Sequence, residues 1–227
     1  MNYLIVVAHP DDEALGAGAT MAKFASLGHQ VDVCILSSDA QARYLHPGDT
    51  QLKDDTDVSM RLLGVKNVYH EYFPNIKLNN VDHLLLVQAI EKAIVASKPD
   101  VVITHHPSDT NNDHLHTSLA CQAAIRLFQR KPELKPIEEL WFMEVPSATE
   151  WSTNSSLNRF TPNTYVEVGA EFIDVKIKAL SSYRDVMRPY PHPRSAEAIK
   201  GFALMRGAES GCNYAEAFEC VLRRIVK

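Results

Sequence analysis

Apolar residues in this chain fall into two kinds of run, and the two alternate. Tyr3-Leu-Ile-Val-Val-Ala8 is short, β-rich and apolar at every position, as in a strand covered on both sheet faces. Ala14, Ala17, Met21 and Phe24 then recur at spacings of three and four, which predicts a helix, and Gly28 stands where such a helix ends. Val31 to Leu36 reads as a second strand. The polar stretch from Ser37 to about Asp55, with Pro47-Gly48 in it, reads as loop. A helix closes through Arg61-Leu62-Leu63 at Gly64, and Asn67 to Phe73 is a third strand. Val87, Ile90 and Ile94 predict a helix from Val81 to Ser97, with Pro99 barring its continuation. Val101 to Thr104 is a fourth buried strand, and Leu119, Ala120, Ala123, Ala124 and Leu127 mark the following helix. Strands at Leu140 to Val145 and Tyr165 to Val168 and helices at Ala170 to Tyr183 and Ser195 to Met205 complete the pattern. The Ala215-Glu-Ala-Phe218 run reads most simply as an amphipathic C-terminal helix.

Strands alternating with helices at this spacing imply βαβ units and a mostly parallel sheet. No internal repeat, low-complexity tract or linker interrupts them. Residues 1–227 are therefore expected to form one α/β domain, a Rossmann-like three-layer sandwich with strand order 3-2-1-4-5 at its core.

Composition narrows the class. The chain is 45% hydrophobic and 22% charged, ordinary for a globular domain of 227 residues. Its apolar runs fall far short of the roughly 18–20 residues that span a bilayer. The start lacks the basic flank and long apolar core of a signal peptide, so the cytoplasm is the expected location. A net charge of −5 without Lys/Arg runs argues against a nucleic-acid or membrane-surface partner. Cys34, Cys121, Cys212 and Cys220 form no CxxC pair and read as reduced packing residues.

Candidate chemistry sits at two strand ends. Ala8-His9-Pro10-Asp11-Asp12-Glu13 follows the first strand, at the carboxyl edge where open α/β sheets bind ligands. A helix cap would account for one of these carboxylates, with Glu13 favouring the positive helix end. It does not account for a histidine and two adjacent aspartates. Gly16 and Gly18 resemble the start of a phosphate-binding loop, but the third glycine position is Met21 and paired carboxylates would repel a pyrophosphate. A metal cation reverses that repulsion. The second cluster, His105-His106-Pro-Ser-Asp109-Thr-Asn111-Asn112-Asp113-His114-Leu-His116, follows the fourth strand. With order 3-2-1-4-5 the first and fourth strand ends share one crevice, so both clusters converge. Imidazole and carboxylate ligands with an open position suit a catalytic Zn²⁺ best among common metals.

These motifs resemble those of the LmbE-like, or PIG-L, family of zinc-dependent N-acetyl sugar deacetylases. The resemblance rests on Ala8-His-Pro-Asp-Asp-Glu13, on the Asp113-His114 pair, and on Arg206-Gly-Ala-Glu-Ser-Gly-Cys-Asn-Tyr-Ala-Glu-Ala-Phe218. It implies that His9, Asp12 and His114 bind zinc and that Asp11 is the general base. The implied partner is a small N-acetylated sugar or glycoconjugate, and a homo-oligomer fits the family. One departure stands out. Many members carry a histidine three residues before the ligand histidine, and here that residue is Asn111, an amide that can contact substrate but cannot act as a charged acid.

The remaining candidates are weaker. His192 lies in Arg188-Pro-Tyr-Pro-His-Pro-Arg194-Ser195, a proline-braced loop, and is the expected replacement acid, its pKa raised by a neighbouring carboxylate. The arginines of that loop read as structural. Asp39 and Arg43, in the polar stretch after the second strand, are expected to flank the crevice, with Arg43 as a substrate contact. Trp141 and Trp151 are as suited to packing as to stacking on a sugar. His29, His46, His70 and His83 read as surface or packing residues.

Overall fold

A computed structural model describes residues 1–38, 49–153 and 159–225. In chain order its elements are β1 (Asn2–Val7), α1 (Asp12–Ser26), β2 (Gln30–Ile35), α2 (Asp49–Leu63), β3 (Asn67–His70) and α3 (His83–Ser97). Then come β4 (Val101–His105), α4 (Asn112–Ala124), β5 (Glu139–Met143), β6 (Thr164–Glu167), α5 (Gly169–Ser182), α6 (Ala196–Ser210) and β7 (Ala215–Arg223). The strands make one sheet in the order β3-β2-β1-β4-β5-β7-β6. β1 pairs in parallel with β2 and β4, β2 with β3, and β4 with β5, which is the expected 3-2-1-4-5 core. β7 adds to β5 antiparallel, and β6 pairs antiparallel with β7.

Strand periodicity divides the core into two layers. Tyr3, Ile5 and Val7 of β1 pack with Leu15, Met21, Leu52, Met60 and Leu180 from α1, α2 and α5. Leu4, Val6 and Ala8 pack on the other face with Leu86, Ile90, Ala120 and Ala124 from α3 and α4. Each large side chain buried this way contributes roughly 1.5–3 kcal/mol. Trp141 belongs to this packing, against Tyr3 and Phe218, whereas Trp151 is exposed. All four cysteines are free thiols, with Cys34 and Cys121 buried. Among the described residues no helix is long and apolar enough to cross a membrane.

β3 stops at His70, short of Phe73, and α6 runs past Met205 to Ser210; three further elements differ more from the sequence reading. α2 begins at Asp49, inside the stretch read as loop, because its buried face mixes Leu52 and Met60 with Asp55, Thr56 and Ser59. Leu119 is exposed on α4, which ends at Ala124 before a short 3₁₀ turn at Leu127–Gln129. The Ala215-Glu-Ala-Phe218 run is not a helix but the start of β7, which is paired on both sides.

The reason Glu216 occupies a buried strand position lies in α1. That helix breaks at Ala17 (φ −139°, ψ 17°). Lys176 of α5 donates to the Leu15 carbonyl at 2.7 Å and to Glu216 Oε1 at 2.6 Å. Glu216 accepts from the backbone N–H of Ala19 at 3.2 Å and of Thr20 at 2.6 Å. A break in the helical ladder frees such backbone groups, and the buried ion pair takes them up. Gly16 and Gly18 are accordingly spacing residues. A Cβ at Gly16 would meet Met143, and one at Gly18 would lie 3.0 Å from Lys176 Cγ.

Candidate metal centre

β1 and β4 lie side by side in parallel, so the residues leaving their carboxyl ends enter the same crevice. After β1 the chain turns sharply into α1. His9 N–H donates to Asp12 Oδ2 at 3.0 Å, and Asp12 N–H reaches the His9 carbonyl at 3.3 Å. Asp11 sits at the helix boundary with φ 105°, a left-handed conformation that favours glycine, and its side chain makes no cap hydrogen bond. Capping therefore does not explain this carboxylate pair. A strained non-glycine backbone at a ligand edge is where strain tends to serve function.

Three ligand atoms converge there. Asp12 Oδ2 lies 3.3 Å from His9 Nδ1 and 3.2 Å from His114 Nε2. Each imidazole is backed by another carboxylate on its far nitrogen. His9 Nε2 donates to Asp113 Oδ2 at 3.0 Å, and His114 Nδ1 lies 3.1 Å from Asp109 Oδ2. Those outer carboxylates are fixed in turn. Asp113 accepts from the N–H of Ile76 (2.7 Å) and Leu78 (3.0 Å), and Asp109 from Asn111 N–H and Thr149 Oγ1, both at 2.8 Å. A carboxylate behind a ligating imidazole selects its tautomer and aims the other nitrogen.

The electrostatics are those of a cation well. Burial alone would lower the His114 pKa, but Asp12 and Asp109 push it up to about 10. Burial also lowers His9, and Asp113 and Asp12 outweigh that and raise it. Asp12, which burial would raise, is held well below the usual carboxylate range by His114 and His9. Both ring nitrogens of His114 are nonetheless buried without a properly aligned hydrogen-bond partner. Positive charge is wanted here, and the ring nitrogen facing Asp12 has no hydrogen bond to satisfy it.

A divalent metal fits these residues. Edges of a tetrahedron with bonds of about 2.0–2.1 Å measure roughly 3.3 Å, close to the two observed separations. His105, Asp109 and His114 form an overlapping group of possible ligands. His105 is less available, because its Nε2 accepts from Ala8 N–H at 2.9 Å. Its ring stacks on His114 at 3.8 Å, and burial, aided by the His114 charge, lowers its pKa to about 3. It is a neutral brace.

Other candidates are placed as follows. Asn111 is the N-cap of α4, its Oδ1 accepting from Asp113 N–H at 2.9 Å, so only its amide NH₂ is left for a substrate. Glu13, read as a helix-end charge, is fully buried. It accepts from Tyr183 Oη at 2.8 Å and from Asp11 N–H at 3.1 Å, and burial with the Asp11 charge raises its pKa to about 8. His192 is exposed and has arginines, not a carboxylate, beside it. Its Nδ1 accepts from Arg194 N–H at 3.0 Å, and burial together with Arg194 and Arg188 lowers its pKa, against the expected rise. From this loop it is Arg194 that reaches the site, with Nη1 3.6 Å from Asp11 Oδ2. Asp39 and Arg43 lie outside the described residues. Sequence reasoning missed the aiming roles of Asp109 and Asp113, whose one signal was their place among the histidines, and it missed Arg194.

The PIG-L family pattern, described as GlcNAc-PI de-N-acetylase, matches residues 4–125. The chain is similar to the uncharacterized deacetylase YaiS of Escherichia coli (strain K12), 24% identical over 187 residues, covering 81% of this chain and 90% of the relative. Among solved structures it is similar to N,N'-diacetylchitobiose deacetylase from Pyrococcus horikoshii, with TM-score 0.75 and 20% identity over 97% of this chain and 83% of the other. It is equally similar to GalB, the 4-carboxy-2-hydroxymuconate hydratase from Pseudomonas putida KT2440, with TM-score 0.76 and 20% identity over 100% and 99%. These two likenesses are of fold, and the fold alone does not choose between their reactions.

Proposed function

The chain belongs to the PIG-L family of GlcNAc-PI de-N-acetylases, and from that premise we propose that it is a zinc-dependent hydrolase removing the N-acetyl group from an amino sugar or an N-acetylglucosamine-type glycoconjugate. The observation that carries this reading is the convergence of His9 Nδ1, Asp12 Oδ2 and His114 Nε2, with both imidazoles backed by carboxylates and Asp11 beside them. His9, Asp12 and His114 would hold the ion. Once bound, zinc would supply Lewis acidity, lowering the pKa of a coordinated water to about 7 and polarising the amide carbonyl.

The chain's own residues do the rest. Asp12 and Asp11 are adjacent, so one carboxylate can bind while the other faces the reacting water. Asp11 takes the proton from that water as its oxygen attacks the acetyl carbon. The same carboxyl then returns the proton to the nitrogen as the C–N bond breaks, giving a free amine and acetic acid, which ionises to acetate. Asp113 and Asp109 keep the two imidazoles aimed, and buried His105 keeps His114 from turning. The Asn111 NH₂ is proposed to contact the substrate, and Arg43 to do so from the segment after β2. His192 has one place in this scheme: as an exposed ring it can donate to the leaving amine in a neighbouring protomer's cleft, if the chain oligomerises.

The test is direct. Zinc-loaded protein offered a panel of N-acetylated sugars and conjugates, a thiol-sugar conjugate among them, should release acetate and amine in equal amounts from at least one. Binding without release would leave a sugar-binding relative, the reading that the cap role of Asn111 favours. Neither binding nor release would remove the sugar from the proposal.

A further inference from the structure

The loop before α6 brings a further charged side chain to the site that the ligand set does not require. Arg194 is half-buried, with 26% of its side chain exposed, and its two ends are tied differently. Nε donates to Ser147 Oγ at 2.7 Å, while Nη1 lies 3.6 Å from Asp11 Oδ2. The backbone at 194 is pinned too. Its N–H donates to His192 Nδ1 at 3.0 Å and its carbonyl accepts from Arg188 N–H at 3.3 Å. The next residue, Ser195, caps α6 by accepting from Ala198 N–H at 3.0 Å.

Ser147 is an unusual anchor. It holds φ 76° in the turn after β5, where its N–H donates to Glu150 Oε1 at 2.6 Å. Two residues on, Thr149 Oγ1 donates to Asp109, the carboxylate behind His114. One turn thus braces both halves of the site: Asp109 through Thr149, and Asp11 through Ser147 and Arg194. The planar fork of a guanidinium can span two acceptors at fixed geometry, which an ammonium cannot.

We propose that Arg194 is a positioning residue for Asp11, holding its carboxylate in the orientation that serves proton transfer. The assignment rests on the reading of Asp11 as the base of a deacetylase. Asp11 stands at a left-handed backbone position next to a metal ligand, and a cation held at fixed distance from Oδ2 restricts which way its carboxylate turns. Misplacement of a reacting group by about 1 Å costs on the order of 10²-fold in rate.

Zinc-loaded full-length protein would be assayed as wild type, Arg194→Lys, Arg194→Ala, Asp11→Asn and the double variant Arg194→Ala/Asp11→Asn. Arg194→Ala should lower kcat by about 10²-fold with KM within about twofold and the zinc content unchanged. Arg194→Lys should recover only part of that loss. In the Asp11→Asn background Arg194→Ala should add nothing, since it acts through the group already removed. An unchanged kcat, a raised KM at normal kcat, or an additive loss in the double variant would each overturn the assignment. If wild type releases no acetate from any substrate, the deacetylase reading fails separately. Crystals of wild type and Arg194→Ala then decide the inference without activity: Asp11 turning away supports it, and an unmoved carboxylate overturns it.

Discussion

Two buried charge clusters meet α1, one spanning its break and one at its start, and they are finished in opposite ways. Lys176 and Glu216 close on each other and on the backbone of Leu15, Ala19 and Thr20, with donors matched to acceptors. At the helix start, His9, Asp12 and His114 bring their charges equally close, yet the His114 nitrogens remain without aligned partners. Burying a charge is costly unless it is paired and hydrogen-bonded. A closed cluster therefore reads as structure, and one that folding leaves open reads as a place for something else. The difference teaches that burial and charge alone do not mark a site; a buried charged group left without an aligned partner is the stronger sign.

The largest effect should come at the open cluster. Asp11→Asn is expected to keep zinc and fold normally while turnover falls by about 10²–10⁴-fold, as for loss of a general base. Loss of metal along with activity would make Asp11 a ligand instead. The closed cluster should respond in the opposite sense. Lys176→Met should leave zinc content intact but destabilise the fold by about 3–5 kcal/mol in denaturant titration, because it strands the Glu216 charge. Adding Glu216→Leu should restore part of this but not all, since Ala19 and Thr20 N–H and the Leu15 carbonyl stay unpartnered. A Lys176→Met protein as stable as wild type would erase the contrast.

The comparison also shows what could be read in advance. The strand order and the meeting of His9–Asp12 with the loop of His114 were legible, because continuous apolar runs mark buried parallel strands and topology fixes which ends adjoin. β7 was not. Ala215-Glu-Ala-Phe218 fits a helix pattern as well as a strand, and the residue that breaks strand periodicity, Glu216, faces inward only because a distant helix is broken. Asp109 and Asp113 were visible as charges but not as aiming groups, since their partners are set by packing. In the late loop the imidazole is the chemically versatile group in the sequence. The structure instead sends the longer Arg194 inward and leaves His192 outside.

A smaller effect is expected one layer out. Asp113→Asn should weaken zinc binding by about 10–100-fold in competition with a chelator, the usual cost of losing a carboxylate behind a ligating imidazole. Unaltered affinity would reduce Asp113 to a clamp on Ile76 and Leu78.

The smallest concerns a paired charge far from either cluster. Burial pushes the Asp100 carboxyl up, but hydrogen bonds from Lys135 and from Asn2 N–H outweigh it and hold the pKa below the ordinary value. A lowered folded-state pKa contributes stability above the unfolded pKa, near 3.9, and that contribution is lost as pH falls through the folded value. Wild type should exceed Asp100→Asn by no more than about 1 kcal/mol at pH 7, with the gap closing below about pH 4. A gap that widens in acid would reverse the sign of this pairing.

The central claim, that the open cluster is a mononuclear metal site, is tested most directly by metal analysis of purified, zinc-equilibrated protein. Wild type and Lys176→Met should each carry about one equivalent, and His9→Ala should carry little, because a three-ligand site would lose one of its ligands. Undiminished zinc in His9→Ala would contradict the account.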